Sequence, residues 1–493
     1  MPVISTAHKM LSTEGYHTLG EALSRGQLSA RYTLTGKNAD IPPEILCLIF
    51  EHISADILSV TQDFFDSPTT RDLNGVNNTA LKGMYLTFPR NLALVCTYWR
   101  EITRALPNLW TNIVAFIGAE IPYDYKNIKW LFNMSQNLPL TVMILAAETN
   151  TERNEEADLR YILRQLQPHL DRIKGIYIST CVFPSALMVQ QVLHGPAPIL
   201  SDIVLQPPRK PMVRYPNPDA VGLTTFRPNV KHLHLSGIDF ESSVVRNFLA
   251  TLKSVTSITI DEYEDRRNAR IAIYLPSCLS CLTHLPKLTS LKFRAVDFKI
   301  FSRYYGSNRL STVKKLVFED MEPDQMLNVW RAIADLNYVP VLVLRSCWVN
   351  PIIRRFESAS LIVEDLMDDG REEIMRFLHT WNGTRLEMRD CPQFDNVALD
   401  ILAERVPEYG VDPTISGYGR GMCCEKLNVL VLDRCAVTAA KVREVIQRRI
   451  ERRPDAEVGI EDVWVRSHCG EVISEELRDW FMVWTKRFTW LPN

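Results

Sequence analysis

The chain of 493 residues has no apolar run approaching the roughly 18 residues that a membrane-spanning helix needs. Its first residues also lack the apolar core of a secretory signal, so an intracellular location, cytoplasmic or nuclear, is expected. Charge of one sign is missing too. With 56 Lys+Arg against 58 Asp+Glu, electrostatics gives no case for nucleic acid or a membrane as partner. Eleven cysteines, an odd number in a long chain, make no disulfide scaffold and fit a reducing compartment.

Motifs that carry chemistry are equally scarce. Cys278-Leu-Ser-Cys281 with His284 has the spacing of metal ligands, but no second knuckle completes a set of four, and Cys423-Cys424 lies far along the chain. Gly417-Tyr-Gly-Arg-Gly421 lacks the strand-to-helix context of a phosphate loop, and no serine sits in a nucleophile elbow. The expectation is therefore no metal, no cofactor and no intrinsic enzyme activity.

What is present is apolar patterning. Hydrophobic residues make up 46 % and charged residues 23 %, enough to bury a large core. In Asp40-Ile-Pro-Pro-Glu-Ile-Leu46, Asp40 can cap a helix whose first turn tolerates Pro42 and Pro43, with Glu44 at its positive end. Ile45, Ile49 and Ile53 follow at four-residue steps beside Leu46 and Phe50. After a gap, Leu92, Val95, Cys96, Trp99 and Ile102 repeat at helical spacing, and Leu106-Pro-Asn-Leu109-Trp110 suits one short closing helix. Three helices this short cannot bury all of those residues among themselves.

This arrangement resembles the F-box, the helical motif that binds the Skp-type adaptor of cullin-RING ubiquitin ligases. It is most similar to the F-box-like motif of mushroom-forming fungi, in which an opening Leu-Pro-Pro-Glu-Ile-Leu and a later Val-Cys-x-x-Trp-Arg correspond to Ile41–Leu46 and Val95–Arg100. Two departures stand out: Ile41 replaces the usual Leu, and an inserted loop is expected at about residues 54–88. The resemblance implies an F-box-like motif over 40–115, with Pro42, Pro43, Ile45, Ile49, Val95, Trp99, Leu109 and Trp110 forming the adaptor-binding surface. An ordinary helical hairpin capping the next domain is the other reading of the same residues.

The rest of the chain repeats. An apolar residue, two others, an apolar residue, one other and a third apolar residue recur at Ile173/Ile176/Ile178, Leu200/Ile203/Leu205, Val230/Leu233/Leu235 and Val255/Ile258/Ile260. The pattern continues at Leu288/Leu291/Phe293, Val313/Leu316/Phe318, Val339/Leu342/Leu344 and Leu427/Leu430/Leu432, with a partial copy at Leu386/Met388 and a candidate at Leu361/Val363. Steps of 25 to 33 residues between the complete copies up to Leu342 lie in or near the range of leucine-rich repeats. Cys181, Cys347, Cys391 and Cys435 fall three residues past the last apolar position, where such repeats place a small buried Asn or Cys.

Amphipathic stretches at 242–252, 323–336, 371–381, 396–406 and 437–453 supply candidate helices, the last with Arg443, Arg448, Arg449, Arg452 and Arg453 read as a solvated face. The expected fold class is an α/β solenoid: a small three-helix F-box, then a leucine-rich-repeat horseshoe over 116–493 with parallel strands inside and helices outside. Eight to eleven repeats are expected, with a capping helix at about 471–488 and a mobile leader at 1–39. Strand alternation then turns Tyr177, His234, Lys292, Arg345, Glu387, Arg389 and Asp433 to the concave surface as candidate target-binding residues. The combined expectation is a substrate receptor of a Skp–cullin–F-box ligase whose target protein is not legible. A repeat scaffold without ligase association is the alternative.

Overall fold

A computed structural model describes residues 41–66, 88–118, 126–146, 155–180, 185–206, 226–263, 273–299, 310–333, 338–348, 358–366, 371–379, 381–404, 423–452, 459–467 and 470–492. The expected leader, Cys181 and the Gly417–Gly421 cluster lie outside the described residues. The chain is α/β: fourteen strands of a large parallel sheet, with helices between them. It divides into two compact units, and among the described residues the division falls between Asn229 and Val230.

The first unit opens with helix α1 (Pro43–Asp66), which begins at the second proline as the missing N–H groups allow. It runs to Asp66, so the inserted segment starts later than residue 54. Helices α2 (Arg90–Val95) and α3 (Thr97–Ala105) follow, separated by an extended Cys96 whose sulfur accepts the Trp99 N–H. A 3-10 turn at Pro107–Trp110 closes the group.

Four sheet strands of this unit then run parallel in the order β1 (Asn112–Ile117), β2 (Leu140–Ala146), β3 (Ile173–Ser179) and β5 (Asp202–Gln206). Their register aligns Ile113, Val142, Ile176 and Ile203 in one row and Ala115, Ile144, Ile178 and Leu205 in the next. All eight are buried. A separate two-stranded pair joins β4 (Pro196–Ala197) to β6 (Arg227–Pro228).

The second unit holds ten sheet strands in parallel register: β7 (His232–Ser236), β8 (Ser257–Tyr263), β10 (Ser290–Val296), β12 (Lys315–Glu319), β13 (Val339–Arg345), β14 (Ser358–Glu364), β15 (Arg385–Arg389), β16 (Val429–Cys435), β17 (Asp462–Ser467) and β18 (Arg487–Leu491), while β9 (Ile273–Tyr274) and β11 (Phe298–Lys299) form a separate pair. The repeat's middle and last apolar residues line up strand by strand, from Leu233/Leu235 and Ile258/Ile260 to Leu430/Leu432 and Val463/Val465. The partial copies Leu361/Val363 and Leu386/Met388 take their places in the same rows.

Helices between the strands turn apolar residues to the sheet. Val245, Phe248 and Leu249 are buried in this way in the helix Ser243–Thr251, and Val442, Val445 and Ile446 in the helix Ala439–Arg452. The aliphatic rows and these helix faces make the core.

Fourteen strands exceed the eight to eleven repeats expected. In β1 the row position is the small Ala115, which weakens the apolar pattern. The expected capping helix at 471–488 is shorter: a helix at Glu475–Trp484, begun by the Ser474 hydroxyl accepting the Leu477 N–H, and then the strand β18. There Phe488 stacks on Phe481 at 4.1 Å between centroids, and Trp490 is buried.

Five of these strands end alike. Directly after the last outward-facing residue of β10, β12, β13, β14 and β15 comes a residue with positive φ: Ala295 (49°), Asp320 (53°), Ser346 (48°), Asp365 (53°) and Asp390 (50°). Arg434 (56°) does the same inside β16. The left-handed turn costs an L-residue about 1–2 kcal/mol, and Asp tolerates it best. It lets the ladder continue one residue further, as Asp320, Ser346, Asp365 and Asp390 donate their N–H groups to Arg345, Glu364, Arg389 and Asp433 carbonyls at 2.9–3.0 Å. It also turns the next residue inward, which is where Cys347, Cys391 and Cys435 are buried.

Candidate functional site

Two surfaces emerge from the residues singled out by sequence. The first belongs to helix α1. Leu46 and Phe50, one turn apart, pack with Ile102, Leu109 and Trp110 in a buried cluster bordered by Leu92, Tyr98 and Trp99. The Trp99 ring meets Phe50 edge-on at 5.0 Å. Trp110 donates its indole N–H to the Thr103 carbonyl at 2.8 Å, and the Tyr98 hydroxyl donates to the Ile41 carbonyl at 3.3 Å.

The remaining flank of the helix is apolar and uncovered: Ile45 (47 %), Leu48 (62 %) and Ile49 (43 %) are exposed, as are Pro42 and Pro43. Leu94 and Val95 of α2 are exposed as well. Of the eight residues assigned to an adaptor surface, Pro42, Pro43, Ile45, Ile49 and Val95 are thus on the outside, and Trp99 is half-buried. Leu109 and Trp110 correct that expectation. The 3-10 turn folds both inward, where they fill the core under α1 and α3 and are not surface at all.

The second surface is the sheet face opposite the aliphatic rows. Tyr177, in the first unit, borders an apolar cluster there with Val114, Phe116, Met143, Leu145 and Val204. In the second unit one row of the corresponding face is ionic. Asp261, Arg294, Glu319, Arg345, Glu364, Arg389, Asp433 and Arg466 stand side by side on eight consecutive strands, in register, with charges that alternate strictly. Opposite charges on adjacent strands attract and like charges repel, so the order is self-consistent along its whole length.

The ladder is tight and buried at its start. Arg294 pairs with Asp261, and His234 Nε2 lies 3.0 Å from the same carboxylate. Glu319, fully buried, receives Lys292 at 2.7 Å and Arg345 at 3.0 Å, with Arg294 at 3.8 Å. Arg345 and Arg389 both reach Glu364, at 2.5 and 3.0 Å, and Arg389 also pairs with Glu387. Toward the last strands the pairs loosen: Arg466 is 3.6 Å from Asp433, and Arg487 is 3.4 Å from Asp462.

The fields within the ladder follow from burial and pairing. Burial alone would raise the Asp261 pKa, but hydrogen bonds from Arg294 and His234 hold it well below the usual carboxylate range. Burial lowers His234 against the pull of Asp261, which favours the neutral ring. Lys292 is likewise lowered by burial, although Glu319 opposes it. All seven residues nominated by alternation lie on this face. Lys292 and Arg345 meet on Glu319, Arg389 joins Glu387, and Asp433 faces Arg466. Asp261, Arg294, Glu319, Glu364 and Arg466 escaped notice because the alternation exists only between strands, not along any one of them.

Other sequence candidates resolve into structure. Cys278 and Cys281 are buried in the helix Leu275–Leu282, and His284 Nδ1 sits 3.0 Å from the Ser280 carbonyl oxygen. Cys347 and Cys391 are buried thiols pushed up to about 12, chiefly by desolvation. Arg449 departs from the expected solvated helix face. It is buried and donates to the backbone carbonyls of Leu402, Cys423, Cys424 and Glu425. No described helix is long and apolar enough to cross a membrane. No family model and no curated protein matches the chain.

Proposed function

We propose that this chain is the substrate receptor of a Skp–cullin–F-box ubiquitin ligase, in which the helical opening binds the adaptor and a leucine-rich-repeat solenoid holds a target protein. The observation that carries this reading is the divided helix α1. Leu46 and Phe50 anchor it to the chain's own core, while Ile45, Leu48 and Ile49 offer apolar surface to a partner. Exposed large apolar residues at successive turns of one helix mark an interaction face, and such interfaces concentrate their energy in a few anchors.

The receptor supplies no chemistry of its own. It raises the local concentration of target lysines beside an activated ubiquitin, converting an encounter between two molecules into a step within one assembly. The strand-and-helix repeat, with aliphatic rows in register and a buried cysteine just past β13 and β15 and at the end of β16, supports the solenoid half of the proposal.

The test is a pull-down with an Ile45→Ala, Ile49→Ala double variant. Since both side chains are more than two-fifths exposed, the fold should keep its stability while adaptor binding weakens by several kcal/mol. Retention of adaptor and cullin by the double variant at wild-type levels, or their absence from the wild type, would sink the ligase assignment in favour of a binding scaffold.

A further inference from the structure

The loose end of the ladder has a composition of its own. Across β15 to β18 the solvent face sinks into an open depression of about 410 Å³, lined by Arg385, Glu387, Arg389, Asp433, Trp464 and Arg487 among others. Three carboxylates and three guanidinium groups line it, with Arg466 beside Asp433 as a fourth cation. Depth separates the signs. The side chains of Glu387, Asp433 and Asp462 are 4, 16 and 30 % exposed, whereas those of Arg385, Arg389, Arg466 and Arg487 are 45, 42, 41 and 84 % exposed.

The acids therefore form a floor and the arginines a rim. A guanidinium has five N–H groups in a fork, and a carboxylate below it engages at most two of them in a bidentate pair, so donors remain for an incoming anion. Arg466 and Arg487 are the least committed, because their nearest carboxylate oxygens stand at 3.6 and 3.4 Å. Asp433 Oδ1 has no hydrogen-bond partner, which agrees with slack pairing at this end. Trp464 adds a half-buried aromatic surface, with the Arg466 guanidinium 5.4 Å from its ring centroid.

We infer that this depression is the docking site for an acidic segment of a partner polypeptide, its carboxylates taken by Arg385, Arg389, Arg466 and Arg487 over the Trp464 ring. Charge complementarity selects that occupant. A basic segment would meet guanidinium groups before it reached any acid, and a nucleic acid needs a basic field that a chain with 56 Lys+Arg and 58 Asp+Glu does not provide. The inference deepens the target-binding half of the proposed function and does not involve the adaptor surface. Pull-down of the adaptor and binding of an acidic peptide can thus fail separately.

The experiment is fluorescence anisotropy of a fluorescein-labelled octaglutamate peptide titrated with the full chain at low salt. An octalysine peptide and an oligothymidylate of similar length serve as comparisons. Octaglutamate should bind, octalysine and oligothymidylate should not, and an Arg466→Glu, Arg487→Glu double variant should weaken octaglutamate by about tenfold or more. An Arg160→Glu, Arg376→Glu variant makes the same change of net charge at residues that do not line the depression and should bind as the wild type does. Octaglutamate affinity unchanged in the Arg466/Arg487 variant, an equal loss in the Arg160/Arg376 variant, or preference for either comparison ligand would overturn the assignment. Thermal melting of both variants separates loss of binding from loss of fold.

Discussion

In the first unit, the residues facing away from the buried rows are Val114, Phe116, Met143, Leu145, Tyr177 and Val204, an apolar cluster. In the second unit the position after the second aliphatic, held by Phe116 and Leu145 in the first, carries Asp261, Arg294, Glu319, Arg345 and Glu364, bonded with Lys292 into a charge ladder, while the position between the aliphatics holds Val317, Val343 and Ile362 beside Lys292. The backbone plan is the same in both, with parallel strands and two aliphatic positions per strand in register. Register is therefore set by the inner rows, and the outer face is free to carry either chemistry. The two solutions differ in how they fail. An apolar cluster loses stability in proportion to what is removed, while a buried ladder needs both signs present.

The sharpest test of that difference is Arg294→Ala. It strips the guanidinium from Asp261, leaving it only the His234 ring, and leaves Glu319, fully buried, with one cation fewer, and should cost about 3–5 kcal/mol in urea unfolding. Arg466→Ala, at the exposed end of the same ladder, should cost about 1 kcal/mol or less. Equal effects at the two ends would show that burial does not govern the ladder. In the apolar cluster, Phe116→Ala should cost about 3 kcal/mol, and pairing it with Met143→Ala on the neighbouring strand should give a non-additive loss because the two share one cluster.

Smaller effects sharpen the comparison further. Cys347→Ser buries a hydroxyl in place of a thiol that reaches the Arg345 carbonyl at 3.2 Å, and should cost about 1–2 kcal/mol. Thiol reagents should leave Cys347 and Cys391 unlabelled at neutral pH, since both titrate only at about 12. Rapid labelling of either would contradict their burial.

The ladder should also make stability depend on pH. His234 and Asp261 both have folded pKa values below their unfolded ones. At mildly acidic pH the unfolded chain binds more protons than the folded one, so stability is full near neutrality. It falls as pH drops below about 6.5 for the imidazole, and then below about 4 for the carboxylate. His234→Gln should flatten the loss between about pH 7 and 5.5 by up to about 1.4 kcal/mol per pH unit. An unchanged slope would mean that His234 titrates alike in the folded and unfolded chains, and a steeper loss that it is charged in the native state. The smallest effect is expected at Ala295, where a φ of 49° favours glycine, so that Ala295→Gly should be neutral or stabilising by about 0.5 kcal/mol.

The two units also differ in how legible they were. Where a strand carries two large aliphatics at two-residue spacing, as in Ile176/Ile178 or Leu342/Leu344, the sequence pattern identifies both the strand and its inner face. It falls silent at Ala115, whose side chain is too small to mark a row, and misleads at Phe488 and Trp490, whose aromatics suit a helix as well as the strand they occupy. Leu109 and Trp110 look like binding anchors because large apolar residues fill cores and interfaces alike. Arg449 looks solvated because nothing in a helix pattern reveals which backbone carbonyls from other segments it will meet. The ladder is the clearest case. Its partners lie 19 to 44 residues apart, and only the parallel register makes their signs alternate.

The measurement that most directly tests the account is affinity purification of the full chain, with proteasome and cullin activity blocked, repeated with two variants. The account predicts that the wild type retains a Skp-type adaptor, a cullin and a target protein with an acidic segment. The Ile45→Ala, Ile49→Ala variant should lose adaptor and cullin but keep the target, and the Arg466→Glu, Arg487→Glu variant should lose the target but keep the adaptor. A wild type that retains neither adaptor nor cullin, or variants that lose both partners together, would contradict it.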